Sequence, residues 1–140
     1  MDNNLLHDHR LKVLVIEDSV DLQLLLGAML REIPDVEVVA SVGSEAAAIE
    51  ALQPSPADLA IVDLELESGT GLNFLKKVAE QAENGKPVKA VVFSNYSNLL
   101  IRHRCLSLGA KAFFDKSFQI DELLEFVQAE ASGKSASLMN

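Results

Sequence analysis

The sequence predicts an α/β fold, a doubly wound sheet of five parallel strands with helices on both faces. Two observations support this prediction. Short apolar runs rich in β-branched residues alternate five times with longer segments whose apolar residues recur at helical spacing, and this alternation is typical of a parallel sheet. Several of the runs are almost entirely apolar, as expected of strands that helices cover on both sides.

The first half of the chain supplies three strands and two helices. The first run, Leu11–Ile16, is nearly all apolar and predicts a central strand. Ser19 can cap the helix that follows, and Pro34 ends the helical pattern because proline cannot continue a helix. The next elements are a strand at residues 36–40, a helix capped by Ser44 that runs to about residue 52, and a strand at Leu59–Val62.

The rest of the chain continues the alternation, with turns and glycines between the elements. Turns are predicted at Pro54 and Pro56 and at Asn84-Gly85. Gly69 and Gly71 lie in a loop, and Gly109 ends a helix, because glycine adopts the backbone conformation that helix ends require. The remaining elements are a helix at residues 72–83, a strand at 88–93, a helix at 98–108, a strand at 112–114 and a helix at 119–131.

The length and composition predict one domain. A chain of 140 residues with 49% hydrophobic content can bury a single core. We place the domain at residues 11–131, between a polar N-terminal segment at 1–10 and a small, polar C-terminal tail at 132–140. Both ends are expected to be flexible, because terminal residues that bury nothing are poorly ordered.

The charge and the apolar runs narrow the classes of partner. Twelve Lys and Arg against 21 Asp and Glu give a formal charge of -9, which opposes direct binding to nucleic acid. The N-terminus lacks the apolar centre of a signal peptide, and no apolar run approaches the ~20 residues of a membrane helix. The sequence therefore predicts a cytoplasmic protein with no membrane contact.

Polar side chains follow four of the five predicted strands. Glu17 and Asp18 follow the first strand, Asp63 the third, Ser94 the fourth and Lys116 the fifth. Ligands of such sheets bind at the carboxyl ends of the strands, so these side chains are expected to converge if their strands are neighbours. Carboxylates placed together repel one another unless a cation lies between them. Mg²⁺ suits this need, since it prefers oxygen ligands and is often shared with a phosphate.

The lysine and the serine indicate which chemistry the acids serve. A lysine supplies a positive point charge for phosphoryl oxygens, and a serine hydroxyl supplies a rotatable donor. Phosphoryl transfer requires an in-line nucleophile and neutralisation of charge on the transferred group. Asp63 can attack while Lys116, Ser94 and a metal ion neutralise that charge. The set therefore favours phosphoryl transfer to Asp63.

Four motifs resemble those of the receiver domains of two-component response regulators, and the resemblance extends over about residues 11–131. The first is Val13-Leu-Val-Ile-Glu-Asp-Ser19, the acidic-pair strand, and the second is Ile61-Val-Asp-Leu-Glu-Leu-Glu-Ser-Gly-Thr-Gly71, the phosphoacceptor strand with its glycine loop. The hydroxyl strand is Val91-Val-Phe-Ser94, and the lysine segment is Gly109-Ala-Lys-Ala-Phe-Phe-Asp-Lys116. The order and spacing of the motifs match the family closely. The resemblance implies a stand-alone receiver with the flavodoxin-like (βα)5 fold.

The resemblance also implies the roles of the acids. By analogy, Glu17, Asp18 and Asp63 hold Mg²⁺, and the backbone carbonyl of Glu65 is a further ligand. Asp63 is the phosphoacceptor, and the phosphoryl group comes from a histidine kinase or a histidine phosphotransfer protein. A receiver of this kind is not an enzyme in the usual sense, although it can assist its own phosphorylation and dephosphorylation.

The same resemblance implies how the signal leaves the site. Ser94 and Lys116 bind the phosphoryl oxygens, and Phe113 acts as the switch aromatic that changes rotamer as Ser94 moves. The output is a reshaped surface formed by the fourth helix, the fifth strand and the fifth helix. That surface would contact an unknown downstream protein effector or a second copy of the chain, as a homodimer through the fourth and fifth helices.

The sequence departs from the family pattern at four positions. Ser117 follows Lys116 where the family usually has proline, and Glu67 stands where proline is often found four residues beyond the acceptor. Glu17 is longer than the more usual aspartate, and Phe113 lacks the hydroxyl of a tyrosine. These changes leave each required chemical group in place, although they put the shapes of two loops in question.

Two other functions are open to a chain with these residues. A receiver-like adaptor that binds partners without phosphorylation is the main alternative. A small phosphohydrolase of the haloacid-dehalogenase kind would carry a second aspartate two residues after its nucleophile, where this chain has Glu65. His7, His9 and His103 lack neighbouring ligands, and the lone Cys105 is expected to pack in the core.

Overall fold

The computed structural model describes residues 10–53, 57–81 and 88–139, with side chains described as far as Lys134. Strands and helices alternate throughout this part of the chain. In chain order the elements are β1 (Leu11–Ile16), α1 (Val20–Arg31), β2 (Val36–Val42), α2 (Glu45–Ala51), β3 (Leu59–Val62), α3 (Gly71–Gln81), β4 (Lys89–Ser94), α4 (Leu99–Ser107), β5 (Phe113–Asp115) and α5 (Ile120–Met139).

The five strands form one parallel sheet in the order β2-β1-β3-β4-β5. This is the strand order of flavodoxin-like folds, whose switch point lies between β1 and β3. The predicted fold class is therefore confirmed. β1, β3 and β4 are neighbours, as convergence of the predicted acids and the hydroxyl requires.

The core has two layers, one on each face of the sheet. Alternate residues of a strand point to opposite faces, so Leu14 and Ile16 pack on one side of β1 while Val13 and Val15 pack on the other. The first layer includes buried side chains of α2, α3 and α4, represented by Ala48, Phe74 and Cys105. The second includes side chains of α1 and α5, represented by Leu26 and Leu123. The sheet is thus covered on both faces, which explains its apolar strands.

The helix caps that the sequence predicted are present. Ser19 Oγ accepts the backbone N–H of Leu22 at 3.3 Å, and Ser44 Oγ accepts that of Ala47 at 3.2 Å. Asn98, which opens the fourth helix, also acts as a cap through its side-chain oxygen. Each cap satisfies a helix N–H that has no partner within its own helix.

Two predicted boundaries within the described residues are wrong by more than one residue. β2 continues to Val42 rather than ending at residue 40, because its pairing with β1 extends to the residue opposite Ile16. α5 continues to Met139 rather than ending at residue 131. Gly133 weakens a helix by only about 1 kcal/mol, no proline follows it, and Lys134 anchors the extension through Asp58 at 2.7 Å.

Several predictions fall on residues that are not described. The segment at residues 1–9 with His7 and His9, the turn at Pro54 and Pro56, and the turn at Asn84-Gly85 lie outside the described residues. The division into a domain at 11–131 with flexible ends stays a prediction. Within the described ranges, no helix combines the length and the apolar character needed to cross a membrane.

Candidate functional site

The buried polar and charged residues of the described chain lie together at the carboxyl end of the sheet. They are Glu17, Asp63, Ser94 and Asp115, with exposed fractions of 3%, 5%, 1% and 5%. Each is the last residue of a strand or the residue just after it. Burying a polar group is costly unless it is hydrogen-bonded or paired. The burial of four such groups at the carboxyl end of the sheet makes this end the candidate functional site.

Backbone hydrogen bonds that continue the sheet hold Glu17 and Asp63 in place. The N–H of Glu17 donates to the carbonyl of Val42 at 2.8 Å, and the N–H of Asp63 donates to the carbonyl of Ile16 at 2.9 Å. A side-chain amide also donates to the carbonyl of Glu17, from Gln23 on α1. The acids therefore project from a fixed part of the backbone.

Glu17, Asp18 and Asp63 form a group that can hold a metal ion. One carboxylate oxygen from each residue lies within 4.8 Å of the others. Glu17 and Asp63 are buried, whereas Asp18 is exposed to solvent. Oxygen donors around a partly open position fit Mg²⁺, which accepts carboxylates and retains water ligands. The donor set therefore agrees with the metal that the sequence predicts.

Lys116 crosses from the end of β5 to Glu17 and Asp63. Its Nζ lies 2.6 Å from Glu17 Oε1 and 2.9 Å from Asp63 Oδ2. Burial tends to lower the pKa of Lys116, but the hydrogen bonds to Glu17 and Asp63 outweigh it, so the pKa is raised above its ordinary value. Lys116 therefore stays protonated at neutral pH.

The same contacts leave Glu17 only partly compensated. Burial raises the pKa of Glu17, the nearby charge of Asp63 adds to this effect, and the hydrogen bonds from Lys116 and Ser19 offset it incompletely. Ser19 contributes a backbone N–H at 3.0 Å from Glu17 Oε2. A single lysine thus balances the acids incompletely, which is the electrostatic condition that a bound cation would relieve.

Ser94 and Glu65 are bonded to residues of this centre, and Phe113 lies in β5 three residues before Lys116. The backbone N–H of Lys116 donates to the carbonyl of Ser94 at 3.1 Å, which ties the β5 end to the β4 end. The N–H of Glu65 approaches Asp63 Oδ1 at 3.4 Å, so the loop after β3 turns back toward the acid. Phe113 is buried in β5 with its ring beneath the guanidinium of Arg102, 4.8 Å from Cζ to the ring centroid.

Sequence reasoning missed several side chains that contact the predicted site residues. Two of them are Gln23, which contacts Glu17, and Arg102, which contacts Phe113. Tyr96 forms a hydrogen bond with the carboxylate of Glu65, which raises the pKa of Tyr96, and its N–H donates to Ser94 Oγ at 3.1 Å. The available signal for Tyr96 was its position two residues beyond the hydroxyl strand. The contacts of Arg102 with Phe113 and Gln119 join residues that are distant in sequence and leave no local signal.

Cys105 has the placement that the sequence predicted, and His103 also lies away from the site. Cys105 is fully buried in the first core layer, and burial raises the pKa of its thiol. His103 is exposed on α4. Neither residue belongs to the site at the carboxyl end of the sheet.

Comparison with known proteins gives a consistent match. The family described as response regulator receiver domain matches residues 13–128. Two relatives are named protein-glutamate methylesterase/protein-glutamine glutaminase. The one from Azospirillum brasilense is 31% identical over 112 residues, covering 80% of this chain and 28% of the relative. The one from Caulobacter vibrioides is 33% identical over 104 residues, covering 72% and 29%. The chain thus spans only a quarter to a third of these relatives.

Solved structures agree with the fold. The response regulator domain of CheB from Thermotoga maritima is 25% identical with a TM-score of 0.69, and the match covers 94% of this chain and 97% of that one. A CheY-like receiver domain protein from Methanospirillum hungatei has a TM-score of 0.75 at 18% identity, covering 91% and 98%. At that lower identity the likeness speaks for the fold alone.

Proposed function

The chain belongs to the response regulator receiver domain family of two-component systems, and we propose that it acts as a phosphorylation-dependent switch whose phosphoacceptor is Asp63. The observation that carries the proposal is the setting of this carboxylate. Asp63 is buried at the end of β3, grouped with two further acids, and contacted by a protonated lysine. The carboxylate of Asp63 thus lies beside acids that can hold a cation and beside the positive charge of Lys116.

The residues divide the work of phosphoryl transfer between them. A carboxylate oxygen of Asp63 attacks phosphorus, and the bond from phosphorus to the donor group breaks as the new bond forms. Lys116 balances charge on the phosphoryl oxygens, and Ser94 offers its hydroxyl to them. Mg²⁺ held by Glu17, Asp18, Asp63 and the Glu65 carbonyl would supply the remaining positive charge.

The donor and the output are proposed from the family. The phosphoryl group would come from a histidine kinase or a histidine phosphotransfer protein in the cytoplasm. The signal would leave through α4, β5 and α5, where large apolar side chains are open to contact. Leu99 and Leu100 are 83% exposed and Phe118 is 71% exposed. Leu99 and Leu100 are adjacent at the start of α4, and adjacent exposed apolar residues are typical of protein contact surfaces, which suits a downstream effector or a second copy of the chain.

The test is phosphorylation by a small donor, followed by intact mass measurement. With Mg²⁺ and a small acyl phosphate, we expect the wild-type protein to gain one phosphoryl group and Asp63→Asn to gain none, because an amide is a far poorer nucleophile than a carboxylate. Asp21→Asn is the matched control. Asp21 is an exposed acid in the first turn of α1, so its variant should be phosphorylated as the wild type is.

The competing function is an adaptor that binds partners without phosphorylation. If the wild-type chain gained no mass from the small donor or from a cognate kinase, the adaptor would replace the switch. Equal phosphorylation of the wild type and of Asp63→Asn would instead place the acceptor elsewhere.

A further inference from the structure

The loop after the proposed phosphoacceptor is held at its far end by a residue of a different element. This loop runs from Leu64 to Thr70, between β3 and α3, and Glu45 is the first residue of α2. The N–H of Glu45 donates to the carbonyl of Ser68 at 3.0 Å. Its side-chain Oε1 accepts the N–H of Thr70 at 3.1 Å. Glu45 therefore binds two backbone groups of the loop, one on each side of Gly69.

The contact is close as well as hydrogen-bonded. Gly69 has a positive φ of 80°, and a Cβ added there would lie 2.4 Å from the Cβ of Glu45. Lys77 of α3 approaches the second carboxylate oxygen of Glu45 at 3.1 Å. Thr70 N–H and Lys77 together hold the pKa of Glu45 below its ordinary value. The side chain is an anion at neutral pH, and both of its oxygens are occupied by partners.

The held end of the loop is paired with the end that faces the acids. Glu65 and Thr70 form an antiparallel bridge, and the N–H of Gly71 donates to the carbonyl of Leu64 at 3.1 Å. A displacement of Thr70 is therefore passed to the backbone of Glu65. The backbone carbonyl of Glu65 is the ligand that the proposed metal site takes from this loop.

We propose that Glu45 is a positioning residue of the metal site. Glu45 fixes residues 68–70, and the pairing of Thr70 with Glu65 then holds the Glu65 carbonyl in place. In this way Glu45 sets the affinity for Mg²⁺. The inference rests on the proposed function, because it requires Mg²⁺ at the acids. It predicts that the reach of the Glu45 side chain matters and that its charge does not.

Two conservative substitutions separate reach from charge. Glu45→Gln keeps an oxygen at the same distance from the backbone, so it can still accept the N–H of Thr70, although it loses the pairing with Lys77. Glu45→Asp keeps the charge but is one methylene shorter and cannot reach Thr70 with the loop in place. Glu50→Gln is the charge control, since Glu50 is an exposed acid on the same helix.

The experiment measures the dissociation constant for Mg²⁺ by NMR titration of backbone amides, together with thermal unfolding in the absence of Mg²⁺. We expect Glu45→Gln and Glu50→Gln to bind within twofold of the wild type. Glu45→Asp should bind roughly tenfold more weakly, which is the size of effect seen when a residue supporting a metal ligand is removed. Its unfolding midpoint without Mg²⁺ should stay close to that of Glu45→Gln.

The outcomes are distinct. If Glu45→Asp matched the wild type while Glu45→Gln lost affinity, the charge would be what matters and positioning would be refuted. Equal affinity in all variants would refute it as well, while leaving the metal site intact. If the wild type itself bound no Mg²⁺, the proposed metal site would be refuted and the role of Glu45 with it.

Discussion

The site has two sides that are built differently. The acid side, formed by Glu17, Asp18 and Asp63 after β1 and β3, is fixed by backbone hydrogen bonds that continue the sheet. The coupling side is formed by Ser94, Phe113 and Asp115 in β4 and β5 and by Arg102 of α4. Its strands are also paired through the backbone, but the side chains of Arg102 and Gln119 provide its links to α4 and to the start of α5. The difference indicates that the acid side depends on the backbone of the sheet, whereas the links of β5 to its neighbouring helices can be loosened by changing single side chains.

The pKa shifts of two buried carboxyl groups also differ between the two sides. Burial raises the pKa of Glu17 on the acid side. Hydrogen bonds from Ser97 and Ser117 lower the pKa of Asp115 on the coupling side. Glu17 is therefore an acid whose charge is incompletely balanced by protein groups, which suits a cation site. Asp115 is balanced by its neighbours and serves the structure of the β5 end.

The largest expected effect is that of substituting Gly71, which lies against the backbone of Asp63 and Leu64. A Cβ added at Gly71 would lie 2.3 Å from the backbone oxygen of Asp63 and 2.9 Å from Cα of Leu64. Neither is a flexible side chain, so the backbone must move. We expect Gly71→Ala to lower the free energy of unfolding by about 3 kcal/mol and to slow phosphorylation of Asp63. Urea unfolding and the mass assay measure these two effects.

Two other glycines serve as controls for this substitution. Gly109 has a φ of 105°, but an added Cβ would meet no atom of the described residues within 4 Å, so Gly109→Ala should cost only backbone strain, about 1 to 2 kcal/mol. An added Cβ at Gly133 in α5 likewise meets none of the described residues, so Gly133→Ala should stabilise the helix slightly. If Gly71→Ala cost no more than Gly109→Ala, the acid side would be less rigid than its contacts indicate.

The acid side was also the part that the sequence predicted best. Strand ends are readable from apolar runs, and Glu17 and Asp63 follow such ends directly. The hydrogen bond from the N–H of Thr70 to the Glu45 side chain was not predictable. It joins residues 25 positions apart, and the shape of the loop that carries Thr70 is set by tertiary contacts. The same holds for the contact of Arg102 with Gln119.

The two positions where the family favours proline show why the loop shapes could not be predicted. The N–H of Glu67 donates to the carbonyl of Gly43 at 3.3 Å, and the N–H of Ser117 donates to Asp115 Oδ1 at 2.7 Å. Proline has no N–H and could make neither bond. Glu67 and Ser117 therefore each donate a hydrogen bond that proline could not donate. The acceptor for Glu67 lies on another segment, and the acceptor for Ser117 depends on the local turn.

A smaller effect is expected from loosening the coupling side. The guanidinium of Arg102 lies over Phe113, donates to the carbonyl of Ser97 at 3.1 Å and reaches Gln119 Oε1 at 3.3 Å. Arg102→Met keeps an apolar stem but loses the cation and both donors. We expect a loss of about 1 kcal/mol in unfolding free energy and shifted NMR signals of the Phe113 ring, with Mg²⁺ affinity within twofold of the wild type.

Arg104→Met is the matched control, because Arg104 is an exposed arginine of the same helix. It should leave the Phe113 signals and the stability unchanged. A large loss of Mg²⁺ affinity in Arg102→Met would contradict the separation of the two sides, since it would mean that the coupling side also sets the geometry of the acids.

The smallest effect is a dependence on pH. Because the folded pKa of Asp115 is below its ordinary value of 3.8, its carboxylate stabilises the fold at pH values above about 4, and this contribution is lost as pH falls through the folded pKa. Asp115→Asn cannot titrate, although its amide oxygen can still accept the N–H of Ser117. The wild type should therefore be modestly more stable than Asp115→Asn at pH 7, and the difference should shrink between pH 5 and pH 3. Urea unfolding at a series of pH values measures it. A difference that stayed constant over this range would mean that Ser97, Ser117 and Arg102 do not favour the charged form, and that Asp115 is no better balanced than Glu17.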